Sequence, residues 1–326
     1  MKSKSSNNFL IESKKNKKNE FYTKLSDIEK ELIHYKEHFK DKVVYCNCDD
    51  PRESNFFRYF FDNFENLGLK NLITTCYKKQ NINIFSQNTP ERGIYLEYNG
   101  DKNNNVFDKI KYLKGDGDFR SKECIDILKQ ADIVVTNPPF SLFRQYVAKL
   151  IEYDKKFLIM GHVNAVKYKR IFDLLKENKI WLGKSIYSGS IEFRVPYYYN
   201  LSNASYTRLD ENGNKYIKIG GIRWFTNLDY KKHHKELILT KTYKGNEKDY
   251  PKYDNYDAIE VSKVSDIPMD YEGAMGVPIT FFDKYNPDQF EILSTANPVL
   301  NGKNIYARIL IKNKKICNYT NTKEKQ

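Results

Sequence analysis

The tetrapeptide Asn137-Pro138-Pro139-Phe140 follows the apolar run DIVVT and precedes a helical pattern, and it is the part of the chain best equipped for chemistry. An amine conjugated to an aromatic ring is a poor nucleophile, because its lone pair is drawn into the ring. The Asn137 side-chain carbonyl and the Pro138 backbone carbonyl, held at a fixed angle by two prolines, can each accept one hydrogen of such an NH2 group. The nitrogen then becomes more tetrahedral in the transition state and its lone pair turns toward an electrophile. Two preorganised acceptors facing developing positive charge are an oxyanion hole with the sign reversed, worth several kcal/mol. Phe140 offers a stacking face for an extruded base. The competing reading of the same residues is a rigid turn.

Other chemistries find less support. The five cysteines are Cys46, Cys48, Cys76, Cys124 and Cys317, and the only close pair is separated by a single residue. That is neither a disulfide framework nor a zinc site. None adjoins a proline, so the cysteine nucleophile needed for attack on a ring carbon is missing. His34 and His38 have helical spacing, but they sit in a lysine-rich segment without the glutamate of a metalloprotease. Lys231, Lys232, His233 and His234 read as a phosphate-facing run, and no metal is expected.

The elements that must position the tetrapeptide are legible around it. Ser26 can cap a helix with Glu29 at the capping-box position, and Ile28, Leu32, Tyr35 and Phe39 continue it at helical spacing to about residue 40. KVVYC (42–46) reads as a buried strand, 54–64 as a helix with a broad phenylalanine face, and NLITTCY (71–77) as a second strand. GIYLEY and NVFDKI read as a hairpin turned at Asn99 and Gly100. Helices at 121–130, 142–153 and 171–178 then alternate with strands at 132–136, 156–160 and 180–182. This alternation predicts an α/β fold with a mainly parallel, doubly wound sheet, whose ligands sit at the carboxyl ends of the strands. Beyond Ser185 the periodicity fades into Tyr- and Phe-rich runs separated by turns such as Asp210–Asn214. The predicted organisation is a basic mobile arm (1–18) with six lysines, a catalytic domain (19–184), and a less regular region (185–326) that completes the sheet.

The chain has 326 residues, of which 40% are hydrophobic, enough for a sizeable core without staples. Fifty-five Lys and Arg against 42 Asp and Glu leave a net charge of +13, which favours a polyanionic partner. No run approaches the length of a membrane span and the N-terminus lacks the apolar core of a signal peptide, so a cytoplasmic protein is expected.

NEFYT (19–23), VVYCNCDDPRESNFF (43–57), GDGDFRS (115–121), VVTNPPFSLFRQY (134–146) and FDLLKENKIWLG (172–183) together resemble the EcoRI-type adenine-specific DNA methyltransferases. The similarity extends into GGIRWFTNL and MGVPITFFDKYNP, hence over most of the chain. The resemblance implies a Rossmann-like fold that uses S-adenosylmethionine. It also implies methylation of adenine N6 by base flipping and direct displacement, at GAATTC, in a restriction-modification system. Asn137, Pro138, Pro139 and Phe140 would then be catalytic. Cofactor contacts are implied at Phe21, Tyr22 and Thr23, at Asn47, Cys48, Asp49, Asp50 and Pro51, and at Asp116, Gly117, Asp118 and Phe119. Asp49 or Asp50 offers a carboxylate for the cofactor's ammonium group, and Asp116 or Asp118 one for its adenine amine. CNCDDP departs from most nucleotide-type methyltransferases in having no glycine after the first strand, and TTCY lacks the acidic residue that usually meets the ribose.

Double-stranded DNA is the expected partner. Arg194, Arg208 and Arg223 are candidates for guanine contacts and Asn203 for an adenine contact, each against the plainer reading of phosphate contact or solvated surface. No coiled-coil heptad points to a dimer, so a monomer is expected, paired in function with an endonuclease but not stably bound to it. The alternatives left open are a methyltransferase acting on RNA or a protein amide, and a non-catalytic DNA-binding relative.

Overall fold

Runs rich in β-branched and aromatic residues become strands, and the stretches between them become short helices. The structure, a computed structural model, describes residues 21–77, 92–101, 105–186, 189–196, 199 and 207–316. The expected basic arm, Asn203 and residues 78–91 lie outside the described residues. The chain divides into two compact units, Met1–Ala165 with Gly183–Leu228, and Val166–Leu182 with Asp229–Gln326.

The strands of the first unit are β1 (Tyr22–Thr23), β2 (Val43–Asn47), β3 (Asn71–Cys76), β4 (Ile94–Tyr98), β5 (Lys111–Tyr112), β6 (Ile133–Thr136), β7 (Lys156–His162), β8 (Ser190–Val195), β9 (Thr207–Leu209), β10 (Lys215–Gly220) and β11 (Ile222–Thr226). Its helices are α1 (Leu25–Leu32), α2 (Asn55–Asp62), α3 (Lys122–Gln130) and α4 (Phe143–Glu152). Within this unit the large sheet runs β5-β4-β3-β2-β6-β7-β11. Strands β3, β2, β6 and β7 are parallel, whereas β4, β5 and β11 pair antiparallel at the flanks. The sheet is therefore mixed. Its parallel strands read as continuous apolar runs because both faces are covered, and Val44, Tyr45, Cys46, Val134, Val135, Leu158 and Ile159 are fully buried.

The helices dock for readable reasons. In α2, Phe56, Phe57, Tyr59 and Phe60 form one buried face, with Phe56 edge-on to Trp224 and Phe60 edge-on to Phe39. Each such ring contributes about 2 to 3 kcal/mol on leaving water. Helix α4 lies against β7 at Gly161, where a Cβ would come 2.5 Å from the Phe143 ring.

Three local expectations are corrected. Helix α1 ends at Leu32, because His34 and Tyr35 donate to carbonyls three residues back and tighten the chain into a turn. Even so, Ile28, Leu32, Tyr35 and Phe39 are all buried. Ser26 does not cap; Lys24 stands at the cap position without a side-chain bond. Val106–Lys109, within NVFDKI, is a 3-10 turn opened by Asn105, whose side chain accepts from Phe107 N–H.

A second, antiparallel sheet of the first unit runs β1-β8-β10-β9. Glu31 of α1, a buried carboxylate, accepts from the Tyr35 hydroxyl and from the Lys184 and Ser185 amides. Residues 183–228 group with the rest of the first unit, where the β7–β11 pairing joins them to the large sheet.

The second unit carries α5 (Lys169–Lys176) and the strands β12 (Ala258–Glu260), β13 (Ala274–Val277), β14 (Phe290–Ala296) and β15 (Arg308–Asn313), in the order β12-β13-β15-β14. Ile259, Met275, Phe281, Phe290 and Ile311 form its core, and Arg308 pairs with the buried Glu260 at 2.6 Å. Among the described residues no helix is long and apolar enough to cross a membrane.

Candidate active site

Asn137 is the first residue after β6, at the carboxyl end of a central parallel strand. Its side-chain amide donates from Nδ2 to the Phe21 carbonyl at 2.8 Å, and Thr23 Oγ1 lies 3.4 Å from the same nitrogen. Thr23 gives its own hydrogen to Met160 Sδ at 3.3 Å, so toward Asn137 it can only accept. Two acceptors facing Nδ2 decide which end of the amide is which. Oδ1 consequently points away, buried and without a hydrogen-bond partner. An unsatisfied buried carbonyl costs about 1 to 3 kcal/mol, so this oxygen is available to an incoming donor. Pro138 is buried, and Leu142 N–H closes the turn onto the Pro139 carbonyl at 2.9 Å.

Phe140 is half-buried and lies stacked on Phe21, with centroids 5.8 Å apart and planes at 24°. Phe193 completes the cluster, 6.4 Å from Phe140 and 5.8 Å from Phe21. Phe21 and Thr23 reach Asn137 because β1 pairs with β8 and Asn55 Nδ2 donates to the Thr23 carbonyl at 2.7 Å. The segment Phe21–Thr23 therefore serves the Asn137 turn directly, through one backbone carbonyl, one hydroxyl and one ring.

Beside it, β2 ends in Asn47-Cys48-Asp49-Asp50-Pro51. Cys48 takes a φ of 79°, the conformation for which most residues need to be glycine. The missing glycine of the sequence is thus replaced by a cysteine in the same backbone state. Burial pushes the thiols of Cys46 and Cys48 well up, which keeps them protonated and poor nucleophiles. Asp49 Oδ1 accepts from Ser54 Oγ at 2.6 Å, and its Oδ2 lies 2.5 Å from Thr136 Oγ1. Thr136 also bonds the Asn47 carbonyl, and one hydroxyl hydrogen cannot serve both oxygens. A proton on Asp49 resolves the conflict. Burial, opposed by the bonds from Ser54 and Thr136, raises its pKa to about 7. Asp50 accepts from Arg52 through both oxygens, at 3.0 and 2.9 Å. Neither carboxylate stands open, and the Asp50 carbonyl accepts from Glu53 and Ser54, so the Asp-Pro pair is also the turn that leads into α2.

The third segment packs where β3 ends. Gly117 has a φ of 81°, and a Cβ there would lie 2.5 Å from the Cys76 carbonyl. Asp118 is held by Arg120 in a two-pronged pair at 2.9 and 2.6 Å, which lowers its pKa. Asp116 bonds the Asp118 amide at 3.0 Å and interacts with the Tyr77 hydroxyl. Phe119 points into the core, edge-on to Tyr146 at 4.9 Å. The Tyr146 hydroxyl is buried without a partner, within electrostatic reach of Cys48 and Asp49.

The arginines separate into two groups. Arg194 and Arg208 lie in one cross-strand row of the small sheet, Tyr22–Arg194–Tyr216–Arg208. Arg194 sits 4.5 Å over the Tyr22 ring and pairs with Glu53; Arg208 sits 4.2 Å over the Tyr216 ring and pairs with Glu192. Arg223 belongs to β11, is 3% exposed, and donates to the Ile222 carbonyl. Ser54, Thr136 and Met160 bond the candidate residues, and Tyr146 packs beside them; sequence reasoning named none of the four as candidates. Ser54 carried a signal, as the cap of a helix that starts beside a candidate loop, and Thr136 and Tyr146 lie within the quoted segment 134–146.

The family model described as "Adenine-specific methyltransferase EcoRI" matches residues 9–326. The type II methyltransferase M.EcoRI of Escherichia coli is 54% identical over 319 residues, covering 95% of this chain and 98% of that protein. M.MgeORF184P of Mycoplasma genitalium is 42% identical, covering 93% and 98%. M.MpnI of Mycoplasma pneumoniae is 43% identical, covering 89% and 86%. No solved structure matches the chain.

Proposed function

The chain belongs to the EcoRI family of adenine-specific methyltransferases, and from that premise we propose that it methylates N6 of adenine in duplex DNA at GAATTC, using S-adenosylmethionine. The role is protection of host DNA beside a cognate endonuclease that forms no stable complex with it. One observation carries this reading: Asn137 spends its Nδ2 on Phe21 and keeps Oδ1 buried and unpaired at a strand end.

The four parallel strands with α2, α3 and α4 are read as a Rossmann-like core, in which cofactor and base meet at the carboxyl ends of the strands. The residues fit the cofactor on two counts: the orphaned Tyr146 hydroxyl near Cys48, and the close approach of Gly117 to the end of β3. The turn Asn47-Cys48-Asp49-Asp50-Pro51, through its backbone because Arg52 occupies the Asp50 carboxylate, would hold it with Asp116 and Gly117. Asp116 is favoured over Asp118, whose carboxylate Arg120 already occupies. When bound, S-adenosylmethionine supplies an electrophilic methyl group on sulfonium.

Asn137 Oδ1 then accepts one hydrogen of the flipped adenine's amine and the Pro138 carbonyl the other, turning the nitrogen lone pair toward that methyl. Phe140 stacks on the base, braced from behind by Phe21. Transfer would form the N–C bond as the donor's S–C bond breaks, and the surplus proton would pass to water, since nothing in the motif is basic. The Tyr22–Arg194–Tyr216–Arg208 row, Asn203 and the arm at 1–18 supply DNA contacts, with sequence reading assigned to 185–326. A monomer acting in the cytoplasm suffices, because after replication only one strand needs the methyl group.

Incubating the protein with methyl-labelled S-adenosylmethionine and duplexes with or without GAATTC, followed by nucleoside analysis, tests the proposal. Label in N6-methyladenine of the GAATTC duplex supports it. Label confined to RNA or protein, or none at all, supports the alternatives.

A further inference from the structure

We infer that Asp229, His233 and His234, at the start of the second unit's longer segment, form a binding site for a divalent transition ion of the zinc class. Their ligand atoms lie within 4.8 Å of one another. His234 Nε2 is 2.9 Å from Asp229 Oδ1, and His233 Nδ1 is 3.8 Å from the same oxygen. Donors about 2.1 Å from a tetrahedral ion stand roughly 3.3 Å apart, so these separations bracket the required one.

A second observation points to a ligand. His233 is 5% exposed, yet both of its ring nitrogens are buried without a hydrogen-bond partner. Burying two unsatisfied nitrogens is costly, and a bound cation would remove that cost at the nitrogen facing Asp229. The ring is held in place by stacking on Trp181, with centroids 4.6 Å apart and planes at 16°. The backbone of His234 is fixed by Asn286 Nδ2, which donates to its carbonyl at 3.0 Å. On the far side of the His234 ring, Nδ1 faces Asp288 at 3.9 Å. Nε2 meets both Asp229 oxygens, at 2.9 and 3.1 Å, and a carboxylate beside Nδ1 favours moving the ring hydrogen there when an ion takes its place at Nε2, the arrangement common behind metal-bound histidines. Two imidazoles and one carboxylate suit zinc, cobalt or nickel better than magnesium or calcium. Exposure of Asp229 and His234 leaves the fourth position to water. The KKHH run thus carries a function besides positive charge, and the ion would pin this segment to the second unit without entering the methyl transfer.

The test uses untagged full-length protein, stripped with chelator and titrated with Co(II) alone. One equivalent is expected to bind with visible ligand-field absorption, without the thiolate charge-transfer band that the cysteines would produce, and with quenching of Trp181 fluorescence. Zinc should displace it. His233→Phe keeps the stacking but removes both nitrogens, and should weaken Co(II) binding at least about tenfold; Asp288→Asn should weaken it by about the same factor. His234→Gln, at an exposed position, provides the same readout if His233→Phe fails to fold. No saturable uptake, a thiolate band, or equal affinity in folded His233→Phe or His234→Gln would overturn the site.

Discussion

Replacing Asp49 by Asn should abolish a pH dependence of stability that the wild-type protein shows. The carboxyl is buried between Ser54 and Thr136, and burial pushes its pKa up to about 7 from the ordinary 3.8 of an aspartate. The folded state therefore holds one more proton than the unfolded state between about pH 4 and pH 7. Stability depends on pH through the difference in bound protons, so this contribution is fully present below 3.8, falls as pH rises, and is gone above about 7. A shift of about three units at about 1.4 kcal/mol per unit gives a loss on the order of 4 kcal/mol. The amide of Asp49→Asn mimics the protonated carboxyl: its nitrogen donates to Thr136, its oxygen accepts from Ser54, and it does not titrate. Calorimetric melting of both proteins from pH 4.5 to 8 should show similar midpoints in acid. Above pH 7 the variant should melt higher, by on the order of 10 °C for a unit of this size. Using the difference between the two proteins cancels the other titrating groups, including Glu31, whose pKa burial also raises. A difference that stays flat across the range would refute the shared-proton argument.

Phe140→Ala should slow transfer by roughly 10- to 100-fold, the worth of one stacking face, while Phe140→Tyr retains it; a fluorescent adenine analogue at the target that stays stacked with the wild-type protein would contradict base flipping. Cys48→Gly should fold with about the wild-type stability, because relief of a strained φ of 79° offsets the flexibility of glycine. Cys48→Val should lose stability on melting, and equal stability of the two variants would show that the backbone state does not matter. Deleting residues 1–18 should weaken cognate and random duplexes alike and flatten the slope of log affinity against log salt by about 0.9 per lost phosphate contact; an unchanged slope would mean that the arm does not touch DNA.

The parallel strands were legible because strands buried on both faces are written as unbroken apolar runs, as in VVYC and IVVT. The end of α1 was not, since Tyr35 and Phe39 keep the apolar spacing while the backbone tightens beneath them. At the site, Asn137 stood out through its prolines. The partners of the four aspartates did not, because hydrogen bonds from Thr136 and Ser54 depend on strand register and helix placement. Two of those partners carried a readable sign: Asp50-Pro51-Arg52 and Asp118-Phe119-Arg120 each place an arginine two residues beyond a carboxylate, close enough to occupy it. The burial of Arg223 was not legible, for the opposite reason. Its charge suggested a surface, while its neighbours Ile222, Trp224 and Phe225 belong to a strand buried on both faces.

The central claim is that Asn137 Oδ1 receives the target amine. Single-turnover methyl transfer to a GAATTC duplex, with enzyme in excess over DNA and both variants shown to be folded and to bind cofactor, measures this at the chemical step. Asn137→Ala should be slower by at least about a hundredfold, as for removal of one preorganised hydrogen-bonding group. Asn137→Asp, which keeps an acceptor oxygen, should retain more of the rate. Equal rates for wild type and Asn137→Ala would contradict the account.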